Sequence, residues 1–345
     1  MTDFASRALL PAGFADLLPP EAGFEAATVE RLMSAFAAQG YVRVKPPLLE
    51  FEESLLGGEP RPLRLCYAGQ VVRVTGDALR SARQFGQIGC ELIGSASVAA
   101  DVEAVQLAAS SLADIGARGL SVDLSSPTLV GAIIEGTGLA GDQAALLRNA
   151  LDRKDAAAVA THGGEAAAML GLLLRESGDA ARALAALRTA GLPPRATEDA
   201  RRLEEVVATL GARRPDLAVT VDLVENRGFE YHTGLCFTLF ARGVRGELGR
   251  GGRYLAGGDF AAGGGEAATG FTLYTDTILR ALPAPAPARS VFVPMDAPAS
   301  TGEALRAGGW ATLAALEAHD DTIAEARRLG CSHAWIAGKI HTLGE

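Results

Sequence analysis

Two side chains able to do chemistry stand on one face of an otherwise apolar strand. In "QFGQIGCELIG" (84–94), strand alternation puts Gln87, Gly89, Glu91 and Ile93 on one face and Ile88, Cys90, Leu92 and Gly94 on the other. The second face suits a core. The first carries an amide and a carboxylate, roughly 13 Å apart along the strand, with a residue lacking a side chain between them. The preceding "LRLCYAGQVVRV" (63–74) reads as the partner strand of a long antiparallel hairpin, with Tyr67, Gly69, Val71 and Arg73 on a shared face. On this reading Gly69 and Gly89 leave a hollow over the sheet, rimmed by Arg73, Gln87 and Glu91. Such a rim could hold a small zwitterion: a carboxylate recognises an ammonium, and a guanidinium recognises a carboxylate. The alternative is an internal Arg73–Glu91 salt bridge that fills the gap.

Two further clusters carry polar chemistry. "ENRGFEYHTG" holds Arg227, Glu230, Tyr231 and His232 just before a strand, and as an isolated motif it reads as a hairpin turn. "GRGGRY" (249–254) holds Gly251, Gly252 and Tyr254, and its glycines allow backbone to approach a ligand or another strand closely. The glycine runs lack GxGxxG spacing after a strand, and GxxxxGK[ST] does not occur, which argues against dinucleotide and P-loop sites.

The elements that must position these residues alternate irregularly along the chain. "LLPPEAGFEAATVERLMSAFAAQG" opens with Pro19-Pro20 and Glu21, carries Phe24, Thr28, Leu32, Ala35 and Phe36 at helical spacing, and stops at Gly40. "YVRVKPPLLEF" follows as a strand broken by Pro46-Pro47, at an edge or an interface. "TGDALRSAR" (75–83) is the hairpin loop. A helix covers about 100–115, and about 137–212 is almost purely helical and reads as a separate insertion. Strands resume at "LAVTVDLVE" (217–225) and "LCFTLFAR" (235–242), and "GFTLYTDTILRALP" (270–283) runs from strand into helix. "PAPAPA" (283–288) is a stiff linker. The domain reading is therefore one large domain over 1–282 and a small C-terminal segment over 283–345. Antiparallel strands with segregated and inserted helices give an α+β fold.

The bulk numbers fit an ordinary globular protein. The chain has 345 residues, 48% apolar and 21% charged, with a net charge of −9. That balance supplies no basic footprint for nucleic acid. Cys66, Cys90, Cys236 and Cys331 are scattered without CxxC or metal spacing and read as reduced core residues, with no metal and no cofactor implied. The first residues lack the build of a signal peptide and no apolar run reaches membrane-spanning length, so a cytoplasmic, non-membrane protein is the expectation.

Taken together, "PAGFADLLPPEA", the hairpin with Arg73 and "RQFGQIGCELIG", "RGFEYHTG", "GGRY" and the terminal "GF" strand–helix resemble histidyl-tRNA synthetase, in the order of that class II fold and over about residues 9–282. "LCYAGQVVRV", "GELGRGGRY" and "ATGFTLY" make the chain more similar still to a paralogous family without aminoacylation activity, the regulatory subunits of ATP phosphoribosyltransferase. The resemblance implies a six- or seven-stranded antiparallel sheet bearing a histidine pocket. In it Gln87 and Glu91 match positions that hold the histidine ammonium, and Arg227 matches the arginine facing the carboxylate. His232 falls where the synthetase has a tyrosine near the imidazole, and Tyr254 lies in the matching "GGRY" strand. It also implies a class II-type homodimer, built on the helix at 21–39 and the Pro46-Pro47 strand, inside a larger assembly.

Three departures follow from the same comparison. Thr277 stands where class II activation needs an arginine for the ATP phosphates, and Thr75 where an acidic residue is usual. Between "LLEFEESLLGGEP" and "RPLRLCYAG" both families carry several dozen more residues, which help to close the histidine pocket. The expected function is thus a non-catalytic regulatory subunit. It would partner the short-form ATP phosphoribosyltransferase catalytic chain, at the first step of histidine biosynthesis, and pass on feedback inhibition by histidine. The alternatives are an active histidyl-tRNA synthetase and a stand-alone histidine sensor.

Overall fold

The computed structural model describes residues 10–45, 60–74, 82–226, 231–257, 264–285 and 289–343. They belong to two compact units, Met1–Pro283 and Ala284–Glu345. Pro46-Pro47, the hairpin loop at 75–81, Arg227, Gly57–Glu59 of the short junction and 286–288 of the linker lie outside the described residues.

In the first unit, helix α1 (Glu21–Ala38) begins behind Pro20 with Glu21 in its first turn, and it buries Thr28, Leu32, Met33 and Phe36. Gly40 ends it with a φ of 83°. Strand β1 (Val42–Arg43) then joins β2 (Leu63–Val72) in parallel, Val42 opposite Leu65. Strand β3 (Gln84–Ile93) returns antiparallel to β2, with Leu65 opposite Glu91 and Gly69 opposite Gln87. The expected apolar face is realised: Ile88, Cys90 and Leu92 are all buried.

Helix α2 (Val98–Asp114) starts on Ser97, whose hydroxyl accepts from the Ala100 amide at 3.3 Å. Strand β4 (Leu120–Ser125) leads into helices α3 (Pro127–Gly136), α4 (Gly141–Asp152), α5 (Ala156–His162) and α6 (Ala167–Glu176). The two-residue β5 (Gly178–Asp179) separates these from α7 (Ala180–Thr189) and α8 (Pro194–Arg213). The helical block is inserted in the chain between two strands, but it has no separate core: Leu147, Leu170, Leu203 and Leu210 join one apolar cluster with Val122, Leu124 and Ile88 of the sheet. Strands β6 (Ala218–Asp222), β7 (His232–Ala241), β8 (Gly249–Ala256) and β9 (Glu266–Tyr274) follow, and β9 runs directly into α9 (Thr275–Ala281).

The sheet order is β1-β2-β3-β9-β8-β7-β4-β6-β5. This corrects the expected six or seven antiparallel strands. Among the described residues there are nine, and two joins, β1 with β2 and β4 with β6, are parallel. The long helical connection between β4 and β6 makes the second parallel join geometrically possible.

The second unit holds β10 (Ser290–Val293), α10 (Thr301–Ala307), β11 (Ala311–Ala314), α11 (Thr322–Arg328), β12 (His333–Ile336) and β13 (Lys339–Thr342), in the sheet order β11-β10-β12-β13. Phe292, Ala326, Cys331 and Ala334 form one of its small cores. The small C-terminal segment is thus a four-stranded α/β unit.

All four cysteines are free, with Cys236 half-buried and the others buried. Among the described residues there is no cluster fit for a metal ion, and no helix is long and apolar enough to cross a membrane.

Candidate functional site

Register across the middle of the sheet creates a hollow. Glu91 of β3 lies opposite Gly270 of β9, Gly270 opposite Gly252 of β8, and Gly252 opposite Cys236 of β7. Two successive positions beside Glu91 therefore carry no side chain. They cannot: a Cβ on Gly270 would fall on the Glu91 carboxylate, and one on Gly252 would come within 3.0 Å of His232 Nδ1 and Cys236 Sγ. The glycines expected to make the hollow, Gly69 and Gly89, do not. The Tyr67 ring occupies the space over Gly89, and its hydroxyl is 3.0 Å from Thr272 Oγ1.

The resulting cavity has a volume of about 390 Å³, within the range of small-molecule sites. It is lined by Arg73, Gln87, Glu91, Tyr231, His232, Gly251, Gly252 and Tyr254, together with Phe85, Arg250 and Tyr274 among others. Of the residues singled out from the sequence, Arg227 and Glu230 of the second cluster, and Thr75, lie outside the described residues.

Glu91 is the chemical centre. Its carboxylate lines this cavity and accepts a hydrogen bond from the Tyr254 hydroxyl at 2.7 Å. Burial pushes its pKa up to about 7, against the smaller lowering effect of the Tyr254 bond. Among the described residues no cation pairs with it. The alternative Arg73–Glu91 bridge is excluded by register: the Arg73 amide bonds the Arg83 carbonyl, so Arg73 stands eight residues along the ladder from the step of Glu91, roughly 26 Å away at the usual rise. Its guanidinium instead lies over the Phe85 ring, 5.0 Å from the centroid.

The wall beside Glu91 is aromatic. Tyr231 stacks on Tyr254 with centroids 5.2 Å apart and planes 16° from parallel, and it meets His232 edge-on at 5.2 Å. His232 Nδ1 lies 3.3 Å from the Arg253 carbonyl and donates to it, and burial lowers the ring's pKa. Gln87 contributes from the same face of β3 as Glu91. A pocket of this kind, with a carboxylate lacking a counter-charge at one step and stacked rings beside it, suits a small ligand with an amine and a flat apolar group.

Arg250 was missed in the sequence. Alternation along "GRGGRY" puts Arg250, Gly252 and Tyr254 on the pocket face and Arg253 behind it, a signal hidden by the glycines. Arg250 also lines an adjoining cavity of about 430 Å³, with Arg73, His232, Thr277 and Arg280. There Thr277 is buried, and its hydroxyl accepts from Arg280 Nη2 at 3.4 Å.

Comparison with known proteins bears on the whole chain. Residues 13–61 and 57–278 match the family model described as histidyl-tRNA synthetase, in two stretches that meet at the short junction. An ATP phosphoribosyltransferase regulatory subunit of Rhodospirillum centenum is 50% identical over 379 aligned positions, covering 98% of this chain and 97% of that one. The aligned length exceeds the 345 residues present here, so that relative carries residues this chain lacks. A solved Bacillus halodurans structure, described as an ATP phosphoribosyltransferase regulatory subunit/histidyl-tRNA synthetase, superposes with a TM-score of 0.77 at 22% identity, covering 93% of this chain and 96% of that one. A chain of an ATP phosphoribosyl transferase complex from Thermotoga maritima superposes with a TM-score of 0.59 at 17% identity, covering 73% of this chain and 97% of that one. The two superpositions establish the shared fold.

Proposed function

We propose what this chain senses and what it acts upon from one premise: it belongs to the histidyl-tRNA synthetase family, among the ATP phosphoribosyltransferase regulatory subunits. It is a regulatory subunit of ATP phosphoribosyltransferase, and its partner is the catalytic chain of that enzyme. Its pocket takes L-histidine. Glu91 and Gln87 receive the ammonium, Arg227 faces the carboxylate, and Tyr231, His232 and Tyr254 line the imidazole side, while Arg73 lines the far end of the cavity over Phe85. The observation that carries this is Glu91, a carboxylate walled into a cavity of amino-acid size with a tyrosine hydroxyl as donor.

On this reading histidine binding supports feedback inhibition of the catalytic chain. Such regulation needs histidine to bind two states of the assembly with different affinity, since a ligand shifts an equilibrium only by its differential binding. The chain works as a homodimer within a hetero-oligomer in the cytoplasm and does not aminoacylate tRNA. Thr277 in place of the phosphate-binding arginine supports that last point, because the transition state for adenylate formation loses charge stabilisation.

The test is the transferase reaction itself. The short catalytic chain from the same organism is given ATP and phosphoribosyl pyrophosphate, with and without this protein, and histidine is then titrated in. Product formation should rise on adding this protein and fall with histidine. An unchanged rate and an unchanged response to histidine would overturn the proposal.

A further inference from the structure

Beneath the pocket, on the opposite face of the sheet, the chain buries an ion pair. Asp101 of α2 is 1% exposed and Arg253 of β8 is 5% exposed. Arg253 Nη2 is 2.8 Å from Asp101 Oδ1, and its Nε donates to Oδ2 at 3.3 Å. Nη1 and Nη2 also donate to the carbonyls of Ser95 and Ser97, at 2.9 and 2.8 Å. The Thr269 hydroxyl of β9 donates to Asp101 Oδ1 at 2.8 Å.

The register makes this network relevant to the site above it. Arg253 and Thr269 are directly opposite one another on β8 and β9. Their next neighbours, Tyr254 and Gly270, point to the other face. Tyr254 supplies the hydroxyl that reaches Glu91, and Gly270 is the position over which the Glu91 carboxylate lies. The Arg253 carbonyl in addition holds His232. One carboxylate on α2 thus grips, from below, the two residues adjacent to those that set the geometry of Glu91.

We propose that the Asp101–Arg253 pair is a positioning device for the pocket, holding β8 against β9 at the step where Tyr254 must meet Glu91. A buried ion pair gives little net stability compared with apolar packing of the same volume, so its contribution here is fixed geometry. The planar fork of Arg253 makes four directed contacts, which a lysine at that position cannot reproduce. The inference rests on the reading that the pocket binds the amine of histidine.

The experiment uses the full chain and two readouts. One is histidine affinity by calorimetry. The other is the titration midpoint of the Glu91 carboxyl in the ligand-free protein, followed by carbon-13 NMR and assigned by its loss in Glu91→Gln. In Arg253→Lys, affinity should fall about tenfold, as for loss of a well-placed charged hydrogen bond, and the Glu91 midpoint should rise as Tyr254 moves away. Thr269→Val should move both readouts the same way by less. Unchanged affinity and midpoint in folded Arg253→Lys would overturn the proposal, and if that variant does not fold, the same result in Thr269→Val would do so. If the wild type binds no histidine while the Glu91 midpoint still moves in the variants, the positioning role stands and the ligand reading falls.

Discussion

Tyr254 and Glu91 stand on strands separated by a third, yet the tyrosine hydroxyl donates to the carboxylate at 2.7 Å, across the bare backbone of Gly270. Burial outweighs that one hydrogen bond, so the Glu91 pKa rises from the ordinary 4.5 to about 7. Between those values the folded chain holds a proton that the unfolded chain has released. Stability must therefore fall as pH rises through that window, with the full cost present above pH 7. Glu91→Gln removes the ionisation. In denaturant unfolding without ligand, the variant should gain on the wild type by about 2 to 3 kcal/mol between pH 5 and pH 8. In calorimetry at pH 8 it should bind histidine roughly ten- to a hundredfold more weakly, having lost the charge that receives the ammonium. A variant that tracks the wild type across pH would show that Glu91 is not buried as described.

Gly270→Ala tests the floor of the pocket. Its new methyl group would fall on the Glu91 carboxylate, with the Cys90 carbonyl 2.8 Å behind it. Glu91 must leave the site or the strands must part. Histidine binding should be lost, and unfolding should come about 1 to 3 kcal/mol earlier, the usual cost of overpacking. Full binding by a folded Gly270→Ala protein would contradict the β3–β9 register.

The difference between what alternation reveals and what it hides runs along this same row. The hairpin of β2 and β3 was legible because ten residues of period-two pattern put Ile88, Cys90 and Leu92 opposite Gln87 and Glu91. The role of Gly270 was not, since it depends on pairing between segments almost 180 residues apart, and no local pattern encodes that. Strand β4, "LSVDLS", was missed because six residues interrupted by serines carry a weak signal directly after a helix. β8 lay within a glycine-rich stretch whose residues gave no strand signal, and only the family resemblance made "GGRY" a strand. Its glycines are in fact demanded by crowding: a Cβ on Gly251 would come within 2.7 Å of Phe271. The same glycines masked Arg250.

Glu103 should show the opposite pH sense to Glu91. Arg64 Nε and Nη2 donate to its two oxygens at 2.7 and 2.9 Å, and the Tyr41 hydroxyl donates at 3.0 Å. The Arg64 hydrogen bonds lower its pKa despite partial burial. A carboxylate depressed by folding stabilises the native state above its unfolded pKa, and that stability is lost as pH falls through the folded value. Glu103→Gln should cost about 1 to 2 kcal/mol at pH 7, at the modest end because the pair is about a third exposed. The gap from the wild type should close in acid. Thermal melts at pH 7 and pH 4 would show it, and a gap that widens in acid would exclude the assignment.

Thr277 decides whether the second cavity can do what the fold's catalytic relatives do. Arg73, Arg250 and Arg280 line that space, but Glu247 already takes Arg250 Nη2 at 2.6 Å, and Arg280 turns to the Thr277 hydroxyl. Three acidic residues, Asp123, Glu225 and Glu247, share the lining and oppose a polyphosphate. A developing negative charge there would meet committed guanidiniums and carboxylates rather than a free arginine on α9, and the loss of one preorganised donor typically costs about 100- to 1,000-fold in rate. Histidine-dependent exchange of pyrophosphate into ATP should therefore stay at background, at histidine concentrations that saturate the Glu91 pocket. Exchange well above background, abolished in Glu91→Gln, would make this chain an activating enzyme and the regulatory reading incomplete.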